Sequence, residues 1–207
     1  MPDEITYTQL LGALKAETIR WFNTDNQFTI PEDYYVNHKE ALPWFPAALA
    51  LMWLTGGRVS EVLKLRGRDI VVKPDPDGTR VATIYLMNLK QHKDVVPTKK
   101  CIVIIDHYQE AWQYVEDYIN NLINPTTILF HRKRGVMWWH CKRVFGLGTH
   151  RCGRHSFVMN AARAGAGILD IKQIGGWSRL QSMDNYIHEF GTREMTDRLK
   201  RLKVEHD

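Results

Sequence analysis

From Ala47 to Leu54 the chain reads Ala-Ala-Leu-Ala-Leu-Met-Trp-Leu, an unbroken apolar run with no polar face to turn toward water. A helix of this kind is buried nearly all round, so other elements must pack on every side of it. Pro43-Trp-Phe-Pro46 leads into the run and puts Pro46 in the first helical turn, where its missing N–H is not needed. Gly56-Gly57 stops the helix, and Ser60 stands where it can cap a following helix through Leu65. The run is too short to span a bilayer, and no cleavable signal is visible. With 207 residues, 44% of them hydrophobic, the expectation is one main core in a soluble, cytoplasmic protein with no membrane partner.

Most of the remaining chain also reads as helix. Thr6-Tyr-Thr-Gln9 has the form of a capping box, and Tyr7, Leu10, Leu11, Leu14 and Trp21 follow at helical spacing. Residues 23–45 suit a connection. The period changes at Ile70: Ile70 to Val72, a Pro-Asp-Pro-Asp-Gly turn, Val81 to Leu86 and Cys101 to Ile105 predict three antiparallel strands. His107 to Ile123 returns to helix, with Trp112, Val115, Ile119 and either Leu122 or Ile123 on one stripe and Pro125 beyond it. Three short glycine-broken helices are expected over 155–164, 168–174 and 178–188. A polar one from Thr192 to Val204 follows, with Met195, Leu199 and Leu202 as its thin apolar stripe. The fold class is mainly α with a small three-stranded antiparallel sheet (α+β). It divides into a short N-terminal helical segment and linker (1–45), a principal domain (46–191) and a C-terminal helix (192–207).

The net charge of +5 is unevenly spread. Residues 1–45 carry seven acids against three bases, whereas no acid occurs between Asp117 and Asp170. Arg132, Lys133, Arg134, Lys142, Arg143, Arg151, Arg154 and Arg163 all fall in that acid-free stretch, which favours a polyanionic partner. Arg132, Lys133 and Arg134, with Trp138 and Trp139 nearby and Lys142 and Arg143 following, read as DNA-backbone contacts or as a solvated loop. Cys101, Cys141 and Cys152 make an odd set without CxxC spacing, in keeping with a reduced compartment. His131, His140, Cys141, His150, Cys152 and His155 crowd one segment, but no pair has zinc-finger or zinc-ribbon spacing, and no metal or other cofactor is expected.

The polar residues suggest phosphoryl transfer without a metal. There is no Walker loop, paired-carboxylate constellation or acidic metal site. Arg58, in a Thr-Gly-Gly-Arg turn where glycines allow close backbone approach, and Arg154, in the acid-free stretch, can give a phosphodiester fixed and permanently charged donors. A lone Tyr186 stands nine residues after Trp177 and is a candidate nucleophile.

Thr55-Gly-Gly-Arg58-Val-Ser-Glu61-Val-Leu with Leu65-Arg-Gly-Arg-Asp69-Ile resembles the first arginine box of the tyrosine recombinases, the phage-integrase family. Arg154-His155-Ser-Phe157 resembles the second. Ile174-Gly-Gly-Trp177-Ser and Tyr186-Ile-His188 resemble the third box and the nucleophile, in the family's order and over residues 46 to 190. The resemblance implies that Tyr186 attacks a DNA phosphate to give a 3′-phosphotyrosyl link and a free 5′-hydroxyl, independent of metal and ATP. Arg58 and Arg154 would stabilise the transition state, Trp177 would donate its indole N–H to the phosphate, and Glu61 would orient Arg58 or the base. A lysine of the hairpin after the second strand would protonate the leaving oxygen, with Lys90 favoured and Lys93 the alternative.

This chain departs from the pattern at one point. Where the family has a histidine three residues before the second arginine, Arg151 stands here, with His150 one residue earlier. Arginine is no base near neutral pH, so Arg151 serves as a third phosphate donor or the backbone brings His150 to the site. The implied partners are double-stranded DNA and further copies of the chain, a dimer or tetramer on DNA joined through the C-terminal helix. The cell would be a prokaryote or the host of a virus or mobile element. The other functions considered are a type IB topoisomerase-like relaxing enzyme and a DNA-binding protein with the same fold and impaired catalysis. Only 45 residues precede the principal domain, fewer than the helical clamp domain typical of the family, so the chain reads as a catalytic fragment or a compact variant.

Overall fold

A computed structural model describes residues 4–23, 39, 42–87, 98–175, 177, 180–183 and 186. Lys90, Lys93, His188 and the stretch 192–207 lie outside the described residues.

The apolar run forms α2 (Trp44–Thr55), and every residue of it is buried. It ends where Gly56 takes a left-handed conformation (φ 59°) and donates its N–H to the Met52 carbonyl. A side chain at Gly56 would be strained by that φ and would also meet Phe157, whose Cδ1 lies 2.5 Å from where a Cβ would stand. The helix α1 (Tyr7–Asn23) packs on α2 and places Leu10 and Leu14 in the same core. Its start is fixed as the capping box requires: Gln9 accepts from the Thr6 N–H at 2.9 Å, and Thr6 accepts from the Gln9 N–H at 3.3 Å. The residues just before it are tied across the chain, because Ile5 N–H donates to Ser156 Oγ and Trp53 Nε1–H donates to the Ile5 carbonyl.

Beyond Gly57 the chain makes a four-residue helix, α3 (Val59–Val62), shorter than the one expected through Leu65. Its N-cap is Arg58 rather than Ser60, and the carboxylate of Glu61, at the third helical position, reaches back to accept the Arg58 N–H. Strands β1 (Ile70–Pro74), β2 (Arg80–Met87) and β3 (Thr98–Ile104) form an antiparallel sheet in the order β1-β2-β3. The register pairs Ile70 with Ile84, Ile84 with Cys101, and Leu86 with Lys99. Ala82, Ile84 and Leu86 of β2 and Cys101 and Val103 of β3 are buried in the core, whereas Lys100 and Ile102 point outward.

A 3₁₀ turn at Ile105–His107 delays the next helix, so α4 runs Gln109–Asn120 and buries Ala111, Trp112, Val115 and Tyr118. The helix α5 (Arg134–Phe145) has no counterpart among the predicted elements, because its apolar residues form no single stripe. Met137 and Cys141 face in, four residues apart, while Trp138 and Trp139 face solvent at 47% and 49% exposure. A π-helical turn at Arg151–His155 runs directly into α6 (Ser156–Arg163), and α7 (Ile168–Gly175) follows. A second, smaller apolar cluster joins Val158, Ala162, Ile171, Met183, Trp177 and Tyr186. The structure is thus mostly helical with one three-stranded antiparallel sheet, the class expected from the sequence.

Candidate active site

The start of α3, just beyond the end of α2, and the π-turn carry the two arginines. The Glu61 carboxylate, only 2% exposed, accepts the Arg58 N–H at 2.9 Å and Arg58 Nη1–H at 2.5 Å. One buried acid therefore fixes both the backbone and the guanidinium of Arg58, whose side chain remains 30% exposed. Across from it, Arg154 is 5% exposed. Its Nη1–H donates to the Gly56 carbonyl at 3.2 Å, and its guanidinium carbon lies 3.6 Å from the Trp177 ring centroid. Nη2 of Arg154 is buried and has no hydrogen-bond acceptor among the described residues. Burial first, and Arg58 after it, lower the Arg154 pKa to about 10, so the side chain is still charged at neutral pH. The Glu61 carboxylate is bonded to Arg58 and acts on Arg154 only through its charge, and an N–H of Arg154 lacks an acceptor among the described residues. An anion would supply that acceptor.

Tyr186 is 6% exposed, and its ring packs edge-on to Trp177 with centroids 5.8 Å apart. Its hydroxyl lies 2.6 Å from Nε2 of His150. His150 is exposed as a residue, yet its ring lies against those of Tyr186 and His155. Desolvation of that ring, then Arg154 and Arg151, hold the His150 pKa below the ordinary histidine value. Neutral His150, with its proton on Nδ1, can accept the tyrosine proton at Nε2. Arg151 turns elsewhere: its Nη1 lies 3.0 Å from Nε2 of His155.

The π-turn explains this exchange of neighbours. Ser156 N–H bonds to the Arg151 carbonyl, an i→i+5 pattern, and Ser156 Oγ–H donates to the same oxygen at 2.6 Å. Such a turn holds more than four residues per revolution, so residues four apart come nearly over one another and residues three apart do not. His150 is four residues before Arg154 and Arg151 is three. The extra residue thus puts His150 beside the tyrosine. Gly153 lets the turn press on α2, since a Cβ there would come within 3.0 Å of Met52 Cε.

Arg58, Glu61, Arg154, Trp177, His150 and Tyr186 therefore form one constellation, with Arg151 and His155 at its edge. The sequence reading overlooked Lys99. Its side chain is on the inward face of β3, its Nζ is buried without a hydrogen-bond acceptor among the described residues, and its neighbours include Cys101, Arg154 and Glu61. Strand alternation from Cys101 and Val103 would have pointed to it. The predicted basic residues divide into two groups. Arg132 lies over Trp44 and Lys142 over Trp138, and Lys133 and Arg134 are exposed at the start of α5. Arg143 instead pairs with Glu17 of α1. Among the described residues no group of three or more His, Cys, Asp or Glu is arranged to hold a metal ion, and no helix is long and apolar enough to cross a membrane.

No protein-family model matches the chain, and no curated protein matches it by sequence. Solved structures do resemble it. The XerA recombinase aligns with a TM-score of 0.56 at 19% identity, over 96% of this chain and 65% of that one. The XerH site-specific recombinase bound to difH substrate, in a pre-cleavage complex, aligns at 0.53 and 13% identity over 88% of this chain. The Tn1549 transposon integrase in complex with transposon right end DNA aligns at 0.51 and 18% identity, over 98% of this chain and 67% of that one. The chain spans 49% of the length of XerH. With its buried central helix, its three-stranded sheet and these tyrosine recombinases as structural neighbours, the chain has the tyrosine recombinase catalytic-domain fold.

Proposed function

We propose that the chain is a site-specific DNA recombinase or integrase that cleaves and rejoins strands through Tyr186. The observation that carries this reading is the pairing of a tyrosine hydroxyl with a neutral histidine, next to a buried arginine that has an unsatisfied N–H. In the cleavage step Tyr186 Oη attacks phosphorus and His150 Nε2 takes its proton. The bond from phosphorus to the 5′-oxygen then breaks, and that oxygen leaves with a proton from a donor group. The result is a 3′-phosphotyrosyl ester and a free 5′-hydroxyl. Attack by the 5′-hydroxyl of a partner strand reverses each transfer, so bond energy is conserved without ATP.

Arg58 and Arg154 hold the non-bridging oxygens as negative charge grows on them, and Glu61 and Trp177 keep the two guanidiniums in place. Loss of one such donor costs on the order of 10²–10³ in rate. Arg151 contributes positive charge at the edge of the site and is no base. The exposed aromatic and basic face of α5, with Arg134 and Lys142 on it and Lys133 and the half-buried Arg132 just before it, supports contact with duplex DNA by backbone charge and stacking. The Tn1549 integrase is seen in complex with transposon right end DNA and XerH bound to its difH substrate, and duplex DNA is proposed as the partner of this chain, bound as a dimer or tetramer. The test mixes two differently labelled duplexes, selected by binding, with the protein in EDTA and without ATP. Labelled recombinant product supports the reading. Relaxation of supercoiled plasmid with no recombinant would assign the chain to topoisomerase-like chemistry, and binding with neither product would leave only a DNA-binding role.

A further inference from the structure

We propose that Ser156 is the positioning residue that holds His150 at Tyr186, and that the segment Glu4–Ile5 ahead of α1 is its anchor. The inference rests on the phosphotyrosyl-transfer reading and adds to it what sets the base in place.

The wide turn at Arg151–His155 is the structural reason that His150, and not Arg151, meets the tyrosine. Such turns are rare in helices and persist where the surroundings over-determine them. Here that support comes from Ser156, which is fully buried. Its hydroxyl donates to the Arg151 carbonyl at 2.6 Å, the same oxygen that receives the Ser156 N–H, and accepts from the Ile5 N–H at 2.7 Å. A serine inside an α-helix bonds back to the carbonyl three or four residues before it. The Ser156 hydroxyl reaches back five, which fits it to the wider turn.

Ile5 is held just as firmly. It is 1% exposed, and its carbonyl accepts from Trp53 Nε1–H at 2.9 Å and from Asn160 Nδ2–H at 3.1 Å. Asn160 also donates to the Ser156 carbonyl at 2.6 Å, so it ties Ile5 to the turn a second time. Glu4 pairs with Arg163, the last residue of α6. The segment therefore fastens both ends of α6, and Trp53 joins it to α2, the helix that leads to Arg58. Without the Ser156 hydroxyl, the Ile5 N–H would be buried with no acceptor and the Arg151 oxygen would lose one of its two donors. The turn could then rewind with the Ser156 N–H on the Cys152 carbonyl. One residue's step about the helix axis is about 100°, enough to carry the His150 ring off the Tyr186 hydroxyl.

Two measurements test this, and the first needs no DNA. The His150 ring is titrated by NMR in the unmodified protein and in Ser156→Ala. In the unmodified protein Tyr186, His155, Arg151 and Arg154 surround the ring and its pKa lies below the ordinary value; in the variant it should rise toward about 6.5. The second measurement is single-turnover cleavage of a nicked duplex at saturating protein. Ser156→Ala should cleave about 10–10²-fold more slowly with DNA affinity unchanged. Ser156→Ala combined with His150→Ala should be no slower than His150→Ala alone, since a positioning residue acts only through the group it positions. An unaltered His150 titration in Ser156→Ala, or a double variant slower than His150→Ala by the full single-variant factor, would overturn the assignment. If Ser156→Ala does not melt cooperatively, Asn160→Ala, at the half-buried position of the second tie, is judged by the same measurements and outcomes. If the unmodified protein forms no covalent product with DNA, the phosphotyrosyl reading fails, and the His150 titration still decides the role of Ser156.

Discussion

His150 and Arg151 are neighbours in the chain but reach different groups, one the Tyr186 hydroxyl and the other the ring of His155. The difference lies in backbone geometry: counting back three residues from Arg154 finds an arginine, and the i→i+5 turn makes the fourth residue the relevant one. The sequence showed both residues and could not choose between them, because a π-turn has no composition signal comparable to a capping box. His150→Ala should therefore lower the cleavage rate by about 10²–10⁴-fold, with Arg151→Ala costing less. The pH profile gives a sharper test. His150 has its pKa held below the ordinary value, so it stays a base as pH falls past about 6.5, and the acid limb of cleavage should lie below that point and vanish in His150→Ala. An acid limb that persists unchanged in the variant would remove His150 from the chemistry.

At the level of elements, the most legible were those with one dominant pattern. The wholly apolar α2 and the alternating β2 declared themselves, and Gly56 marked the helix end it occupies at φ 59°. The helix α5 was hidden because aromatic residues lie on its solvent side, which blurs the 3.6-residue period. This helix also holds a titrating group. His140 stacks on Phe45 at 4.8 Å and meets Trp44 and Trp139 edge-on. Burial first, and then Arg143, lower its pKa to about 4. The folded state thus resists a proton that the unfolded chain accepts near pH 6.5, so the stability contributed by neutral His140 is complete above that pH and is lost as pH falls toward 4. Urea midpoints measured from pH 7 to pH 4 should fall, and His140→Phe, which keeps the ring packing, should flatten the decline.

Over the whole molecule, charge is sorted between faces. The acids of α1 and the residues before it turn inward onto basic partners, Glu17 to Arg143 and Glu4 to Arg163, while Arg134, Lys133 and Lys142 remain exposed. The uneven charge was plain in the sequence. That two of its arginines are spent on the acidic N-terminal segment was not, because those ion pairs join residues more than a hundred positions apart. DNA affinity should fall steeply with salt, and alanine at Lys133 or Arg134 should reduce the slope of log K against log salt by about one each. Trp138→Ala should weaken binding with the slope unchanged, since stacking releases no counterions. Delivery of Tyr186 to a phosphate held by Arg58 and Arg154 is read out by covalent trapping. DNA selected by binding and nicked beside the scissile phosphate is incubated with the protein, denatured and resolved by size. Attack by Tyr186 leaves a denaturation-resistant protein–DNA adduct that is absent with Tyr186→Phe. Tight binding of the same DNA with no adduct, or an adduct that survives Tyr186→Phe, would contradict it.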